Sequence, residues 1–574
     1  MPLVYPSSSV MRLSRMLALA SLVISGCGVS DKDDEGAEDD KGNFAPDHIV
    51  DVDLTIDAND WDSLRYESRS IPGELSGDCR DAPFDGGYTW FSADVTIDGE
   101  SQANIGVRKK GFIGSQSTTK PGLKLNIDKY VDGAELFGVD NIVLNNAVQD
   151  GALIRQCLSY WLFERAGLPA SRCNFARVSV NDEDMGIYVH VEPVKPAFLR
   201  THFSDDEGDL YEATLSDFHP LWYKTFEPKT DETDASLTPI IRLVDDLQDS
   251  EASLGDILSA HIDLDQFITF LAMETWTGHW DGYGGNQNNY FVYRDRETER
   301  FSFIPWGVDG TLHPDAIEAS FIPNASYIPI QILQDDALSD RYFDRLGELL
   351  DTVWSEDEIL AEVDRMEALL GEEIDLSGVS EEIEGVRDYV RQRRDNVRDA
   401  LPAEPDEFGE PFCMENVGVV EASFETAWAT EWDGVDDIME TGGLDLSVVY
   451  EGDDIPFQPG GVVASYASED GTVYTDYASI IMLAQIDAGE TEAYVLPYVT
   501  FAIDAAGAGV SIPLDIWGAE GALLYAGADT EYEFVEAGSL WNGQIAFDEF
   551  GTTPGATISG TLSTDVYVWT EVTE

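Results

Sequence analysis

Hydrophobic and polar residues alternate strictly from His48 onward, in IVDVDLTID, TWFSADVTIDG and ANIGVRKKG, with turn residues between the runs. A period of two predicts strands of a half-buried sheet. The period changes at Gly151–Gly167, GALIRQCLSYWLFERAG, where apolar spacing predicts a helix with Asp150 as N-cap and Gly167 at its end. A strand pair follows, FARVSV and GIYVHVE, joined by NDEDM; helices are then predicted over Leu237–Asp249 and Leu264–Thr277. A helical stretch from about Glu356 to Leu401 ends in RDYVRQRRDNVRDAL. Beyond it only strand-like runs occur, among them LDLSVVY, GVVASYA, AYVLPYVTFAID, GVSIPLDIW, ATISGTL and DVYVWTEV. The pattern predicts an α+β core followed by an all-β, sandwich-like domain.

Composition sharpens the boundaries. The 574 residues include 43% hydrophobic residues and 13 Trp, enough for several buried cores. Against 33 basic residues stand 111 acidic ones, a net charge of −78, and no Lys, Arg or His follows Arg398. Such a chain has no basic surface to neutralise a phosphate backbone, which excludes nucleic acid as a partner. The acidity reads as solvation and mutual repulsion outside the cytoplasm. Arg12, Arg15 and the apolar run MLALASLVIS form an export signal, with Met11 as an alternative start. The run is too short to span a bilayer and ends in Ile24-Ser25-Gly26-Cys27, like a bacterial lipobox with Cys27 lipidated. Gly28 is not the Asp that retains lipoproteins at the inner membrane, so a lipid-anchored outer-membrane protein is expected. The expected domains are signal and lipidation site 1–27, acidic tether 28–47, core 48–401, linker 402–411 and β-rich domain 412–574. Four further cysteines, Cys79, Cys157, Cys173 and Cys413, permit two disulfides in three connectivities, Cys157–Cys173 being favoured by proximity.

The chemistry concentrates between Glu274 and Leu312, where a loop with Asp281, an Asn-rich turn (Asn286, Asn288, Asn289), two short strands and a loop with Asp309 succeed one another. An acid, an Asn and a second acid after a strand suit phosphoryl transfer: one carboxylate orients the attacking hydroxyl, while the Asn and the other acid hold Mg²⁺. Asp281 is the expected base, and Asn289 and Asp309 the expected metal ligands, with Asn286 as the other choice for the Asn. Both acids fall on loops, where side chains pack little. Upstream, Val107–Asp128 gathers Lys109, Lys110, Lys120 and Lys124 with Gly111, Gly114 and Ser115, a local positive field suited to phosphate. It matches neither G-x-G-x-x-G nor a P-loop. No G-x-S-x-G and no Cys/His cluster occurs, so a serine hydrolase or a structural zinc site is not expected.

These segments resemble the CotH kinase family, the atypical kinases named after spore coat protein H. The family pattern of an Asp loop, then Asn-Tyr-Tyr-hydrophobic-Tyr, then Pro-Trp-Asp-x-Asp stands here as Asp281, NYFVY (Asn289 to Tyr293) and PWGVD (Pro305 to Asp309). Gly307 departs from it where many relatives carry the first Asp. Asp150 and Arg155 match a family helix, and Gly186, Tyr188 and Glu192 a family strand pair. The resemblance covers roughly residues 50–400. It implies an atypical protein-kinase-like core using ATP with Mg²⁺ or Mn²⁺ and an extracytoplasmic protein substrate, with the membrane reached through the lipid anchor. It places Lys120 or Lys124 on the phosphates and Glu192 near the adenine. The alternative, carried by Gly307, is a non-catalytic binding lipoprotein on a degenerate kinase-like scaffold.

Overall fold

The computed structural model describes residues 43–77, 79–84, 87–112, 114–230, 236–249, 251–313, 325–400, 412–429, 434–469, 472–487, 493–515, 518–527, 530 and 533–571. The signal segment with Cys27, most of the tether and the 402–411 linker lie outside them. Of the described residues, 43–68 and 80–400 form one compact unit, and 69–79 with 412–571 another.

In the first unit, seven strands close a barrel: β1 (Ile49–Ile56), β2 (Phe91–Ile97), β3 (Glu100–Lys110), β4 (Gly122–Asn126), β5 (Asn141–Asn145), β6 (Cys173–Val180) and β7 (Glu183–Val191). Their order is β1-β2-β3-β4-β5-β7-β6, and a parallel β6–β1 pairing completes the ring. The alternation explains it: Val50, Val52, Leu54 and Ile56 face the barrel core, while Asp51, Asp53 and Thr55 stay outside. Each such burial contributes about 1.5–3 kcal/mol. The joiner of β6 and β7 is shorter than the NDEDM stretch. Asn181 and Asp182 both adopt positive φ, the two-residue turn whose twist suits a hairpin. A helix that alternation does not predict, α1 (Ala58–Tyr66), is capped by Asp57 and buries Trp61 and Leu64 in the barrel core.

The outer face of β5, β6 and β7 carries Val143, Phe175, Val189 and Val191 into a second, mainly helical core. There α2 (Arg155–Arg165) starts later than predicted, because residues 151–154 form a turn. The N-cap position therefore falls to Ile154 and not to Asp150, whose carboxylate nonetheless reaches the helix from the preceding turn and accepts the Arg155 N–H at 2.8 Å. Helix α3 (Leu264–Thr277) has the predicted bounds and is buried on nearly every side; Gly278 ends it in the left-handed conformation. Four strands, β8 (Asp209–Ala213), β9 (Glu227–Pro228), β10 (Tyr290–Arg294) and β11 (Phe301–Pro305), form a sheet in the order β11-β10-β8-β9. The final helical stretch breaks into Glu356–Glu373 and Ser380–Ala400 around a 3-10 turn at Leu376–Gly378. Cys157 and Cys173 are bridged, as proximity suggests.

The second unit is all-β, as expected, and is built as one ten-stranded sheet that curls until its ends meet. Trp428 pairs with Ala464, Leu444 with Gly460, and Thr426 Oγ1 donates to Val462 O at 2.9 Å. Long, bulged strands such as Phe412–Ala427 and Thr557–Glu571 make this bend around a core of Val420, Phe424, Ile480, Phe501 and Phe547. Cys79 is bridged to Cys413. Among the described residues no helix is long and apolar enough to cross a membrane.

Candidate active site

The loop after α3 is built around Asp281. One carboxylate oxygen accepts from Asn286 Nδ2 at 2.6 Å and Asn288 Nδ2 at 3.2 Å; the other accepts from Asn289 Nδ2 at 2.6 Å. The Asn-rich run is therefore a cradle for an acid as well as a tolerant turn. Burial pushes Asp281 up to about 6; the Asn amides pull it back and the nearby Asp309 carboxylate pushes it further.

Asp309 sits on a 3-10 turn after β11 and is only 9% exposed, so its loop packs it far more tightly than position alone suggests. Its Oδ2 accepts from Asn145 Nδ2 at 3.3 Å. Burial raises its pKa, and Lys110 opposes that rise. Burial conversely lowers Lys110, while Asp309 and then Glu212 support its charge. The barrel wall that carries Lys110 follows from strand pairing. Arg108 lies opposite Lys124 and Lys110 opposite Gly122, so these cations share one face of β3 and β4. A Cβ at Gly122 would stand 3.1 Å from Lys110 Cγ, so the glycine leaves the lysine room to cross the strand. Lys124 is lowered to about 8 by burial and then by Arg108 and Lys195, with Lys229 adding to the effect and Glu212 opposing it. Lys229 is held by Glu212 and Glu227, each at 2.5 Å.

The structure thus groups Lys110, Lys124, Asn145, Asp281 and Asp309, with Asn289 beside them. It does not group every expected residue. Lys109 points the opposite way from Lys110, into the barrel, where Nζ donates to the carbonyls of Arg65 at 2.7 Å and Glu67 at 2.6 Å. It closes the C-terminus of α1 and has no geometry for phosphate. Lys120 Nζ donates to Ile187 O at 2.7 Å and lies over the Tyr188 ring. Ser115 is engaged inside its own turn with the Phe112 backbone, and Asn146 braces that loop through the carbonyls of Ser115 and Lys120. Glu192 forms an ion pair with Arg172 at 2.8 Å. Arg108, Asn145, Lys195, Glu212 and Lys229 were not singled out by sequence reasoning. For Arg108 a signal existed: with Val107 facing inward, a period of two puts Arg108 with Lys110 and Lys109 with the core. For Lys195, Glu212 and Lys229 there was none, since only the tertiary fold brings those segments together.

Asn289 also accounts for Gly307. That residue has φ +52°, and a Cβ there would overlap the Asn289 carboxamide oxygen. The amide of Asn289 fills the space that a side chain at 307 would need. For a divalent cation the donor chemistry fits. Hard oxygens of Asp309 and Asn289 lie beside Asp281, in a site whose mutually repelling carboxyls are raised by burial. No cluster of three or more His, Cys, Asp or Glu suited to a metal occurs among the described residues, so the protein would supply few ligands, as Mg²⁺ tolerates.

The family described as CotH kinase protein matches residues 106–397. Inner spore coat protein H of Bacillus subtilis (strain 168) is 24% identical over 291 residues, 46% of this chain and 79% of that protein. Spore coat protein homolog 1 of Rhizopus delemar is 25% identical over 228 residues, 36% of this chain and 37% of that protein. Invasin CotH3 of the same fungus is 23% identical over 199 residues, 32% of this chain and 33% of that protein, so this chain spans about a third of the two fungal relatives. The crystal structure of the Helicobacter pylori proinflammatory kinase CtkA aligns over 57% of this chain and 93% of its own at 11% identity; its TM-score of 0.21 carries no weight. With the matched segment covering half the chain and holding both acidic loops and the lysine-bearing strand, the protein belongs to the CotH kinase family.

Proposed function

We propose that this protein is an exported, lipid-anchored kinase that transfers the terminal phosphate of ATP to Ser/Thr hydroxyls of extracytoplasmic proteins. The observation that carries the reading is the convergence of three segments: Asp309, bonded by Asn145 and near enough to Lys110 for their charges to act on each other, beside the cradled Asp281. Lys110 and Lys124 bring positive charge to the phosphates, and Arg108, Lys195 and Lys229 deepen that field. Asp281, held by three amides, orients the acceptor hydroxyl and takes its proton; a pKa near 6 leaves it mostly ionised at neutral pH. Asp309 and Asn289 would hold Mg²⁺, or Mn²⁺ in its place, which neutralises charge on the transferring phosphate when bound. Asn145 fixes Asp309 from the barrel side.

The test is incubation of the purified ectodomain with labelled ATP and Mg²⁺. Self-labelling that Asp281→Ala and Asp309→Ala each abolish supports the reading. Absence of labelling together with no thermal shift on adding ATP and Mg²⁺ favours the alternative of a non-catalytic binding lipoprotein, to which Gly307 points. The location is tested by Cys27→Ser, expected to release the protein from the membrane fraction or leave an unprocessed precursor.

A further inference from the structure

Two buried carboxyl groups outside the cluster converge on one residue of the loop that carries Asp281. Glu274 lies inside α3, fully buried. Its Oε1 accepts the N–H of Tyr283 at 2.8 Å and its Oε2 that of Gly284 at 2.9 Å. Asp217, in the segment after β8, is also fully buried; its Oδ1 accepts the Tyr283 hydroxyl at 2.9 Å and the Phe218 N–H at 2.7 Å, and its Oδ2 the Tyr327 N–H at 2.8 Å. Ser326 Oγ donates to the Tyr283 carbonyl. Tyr283, two residues after Asp281, therefore has its amide, carbonyl and phenol all bonded to buried side chains. Gly282, between the two, passes so close to Glu274 that a Cβ would overlap Oε1.

We infer that Glu274 and Asp217 are positioning residues for phosphoryl transfer: through Tyr283 they fix the loop that aims Asp281, without touching the reacting groups. This rests on the proposed kinase reading. The physical argument is one of alignment. Asp281 is cradled only by amides of its own loop, so those bonds cannot set where the loop as a whole points. That direction depends on anchors from outside the loop: backbone bonds hold Gly284, Gln287 and Asn289, and the two buried acids hold Tyr283 next to Asp281's own turn; misplacing a catalytic group by about 1 Å costs on the order of 100-fold in rate. Glu274 holds the loop by two backbone N–H groups, and a carboxamide there has one acceptor oxygen for two donors. Neither acid is among the charged groups that act on Lys110 or Lys124, so nucleotide binding should not depend on them.

The test uses the full ectodomain with Glu274→Gln and Tyr283→Phe, and has two arms. Hydrogen exchange is read on peptides spanning 278–290, with 264–277 as the reference. The expected result is exchange at least about tenfold faster in the first peptide of Glu274→Gln, with a smaller gain for Tyr283→Phe and the reference unchanged. Unchanged exchange over 278–290 would overturn the inference whether or not the protein is a kinase. In the second arm, self-labelling is followed against ATP concentration. A fall of about 100-fold in kcat at unchanged KM for ATP is expected. A rise in KM alone, or an unchanged kcat, would reduce both acids to structural support. If wild type does not label, the kinase reading fails and the exchange arm still decides whether these groups anchor the loop.

Discussion

At the scale of single residues, Gly307 is the position where the family pattern and this chain part. Restoring the acid is not expected to restore a ligand, because the space beside it is filled by the Asn289 carboxamide and its φ is +52°. Gly307→Asp should lose about 1–3 kcal/mol of stability through backbone strain and displacement of Asn289. Labelling should fall with it; a gain in labelling at unchanged melting temperature would show that the missing acid, and not Asn289, limits this site. Asp309 behaves in the opposite sense. Its ionised form is disfavoured by burial more than Lys110 restores it. Asp309→Asn should therefore abolish labelling while leaving the melting temperature equal or higher, since a neutral isostere removes charge repulsion with Asp281. A melting temperature several degrees lower would show that the carboxylate is needed for folding.

At the scale of the element, β3 separates two adjacent lysines by the pleat. Lys109 faces the barrel interior and Lys110 the cluster. Lys109→Met should destabilise the unit by about 1–3 kcal/mol, leaving the Arg65 and Glu67 carbonyls without their donor. Lys110→Met should leave the melting temperature nearly unchanged and remove the thermal shift given by ATP and Mg²⁺. Equal effects of the two on the ATP response would contradict the orientation of the strand. The alternation of ANIGVRKKG was visible in the sequence, but the expectation put both lysines on the phosphate side. Which of them faces inward was decided when β3 found its place in the barrel, with Ile105 and Val107 in its core.

At the scale of the whole molecule, two properties are open to test. Glu274 is raised to about 8, Asp217 to about 7 and Asp281 to about 6, each first by burial. For raised carboxyls the folded state holds protons that the unfolded chain has released, so the stability they contribute is complete below the ordinary carboxylate range and is lost as pH rises through about 8. Depressed histidines and lysines contribute with the opposite sign in the same range, so the test is a difference: the melting temperature of Glu274→Gln relative to wild type should rise between pH ~6 and ~8. A difference that stays level across the window would refute the assignment. The second property is covalent. No Lys or Arg follows Arg398, so trypsin acting near the end of the last long helix leaves the C-terminal part uncut. Cys79–Cys413 ties that part to residue 79. The fragment should stay attached on a non-reducing gel and separate only with reductant; its release without reductant would mean the bridge is not formed.

The sequence by itself determined what neighbours in the chain can settle. The strand IVDVDLTI, the bounds of Leu264–Thr277 and the order Asp281, Asn289, Asp309 are all written in local periodicity, capping chemistry and a hairpin that joins the two acidic loops. Tertiary structure decided whatever depends on residues far apart in the chain. Asn145 bonds Asp309, and Lys110 comes near enough for its charge to act on it, because barrel closure sets one wall of β3, β4 and β5 against the turn after β11. Lys195, Glu212 and Lys229 join that electrostatic group without any motif, since charge interaction depends on distance in space and not on spacing in sequence. The curled C-terminal sheet was equally hidden: a period of two says that each strand has an inner and an outer face, but not which strands pair or whether the ends of the sheet meet.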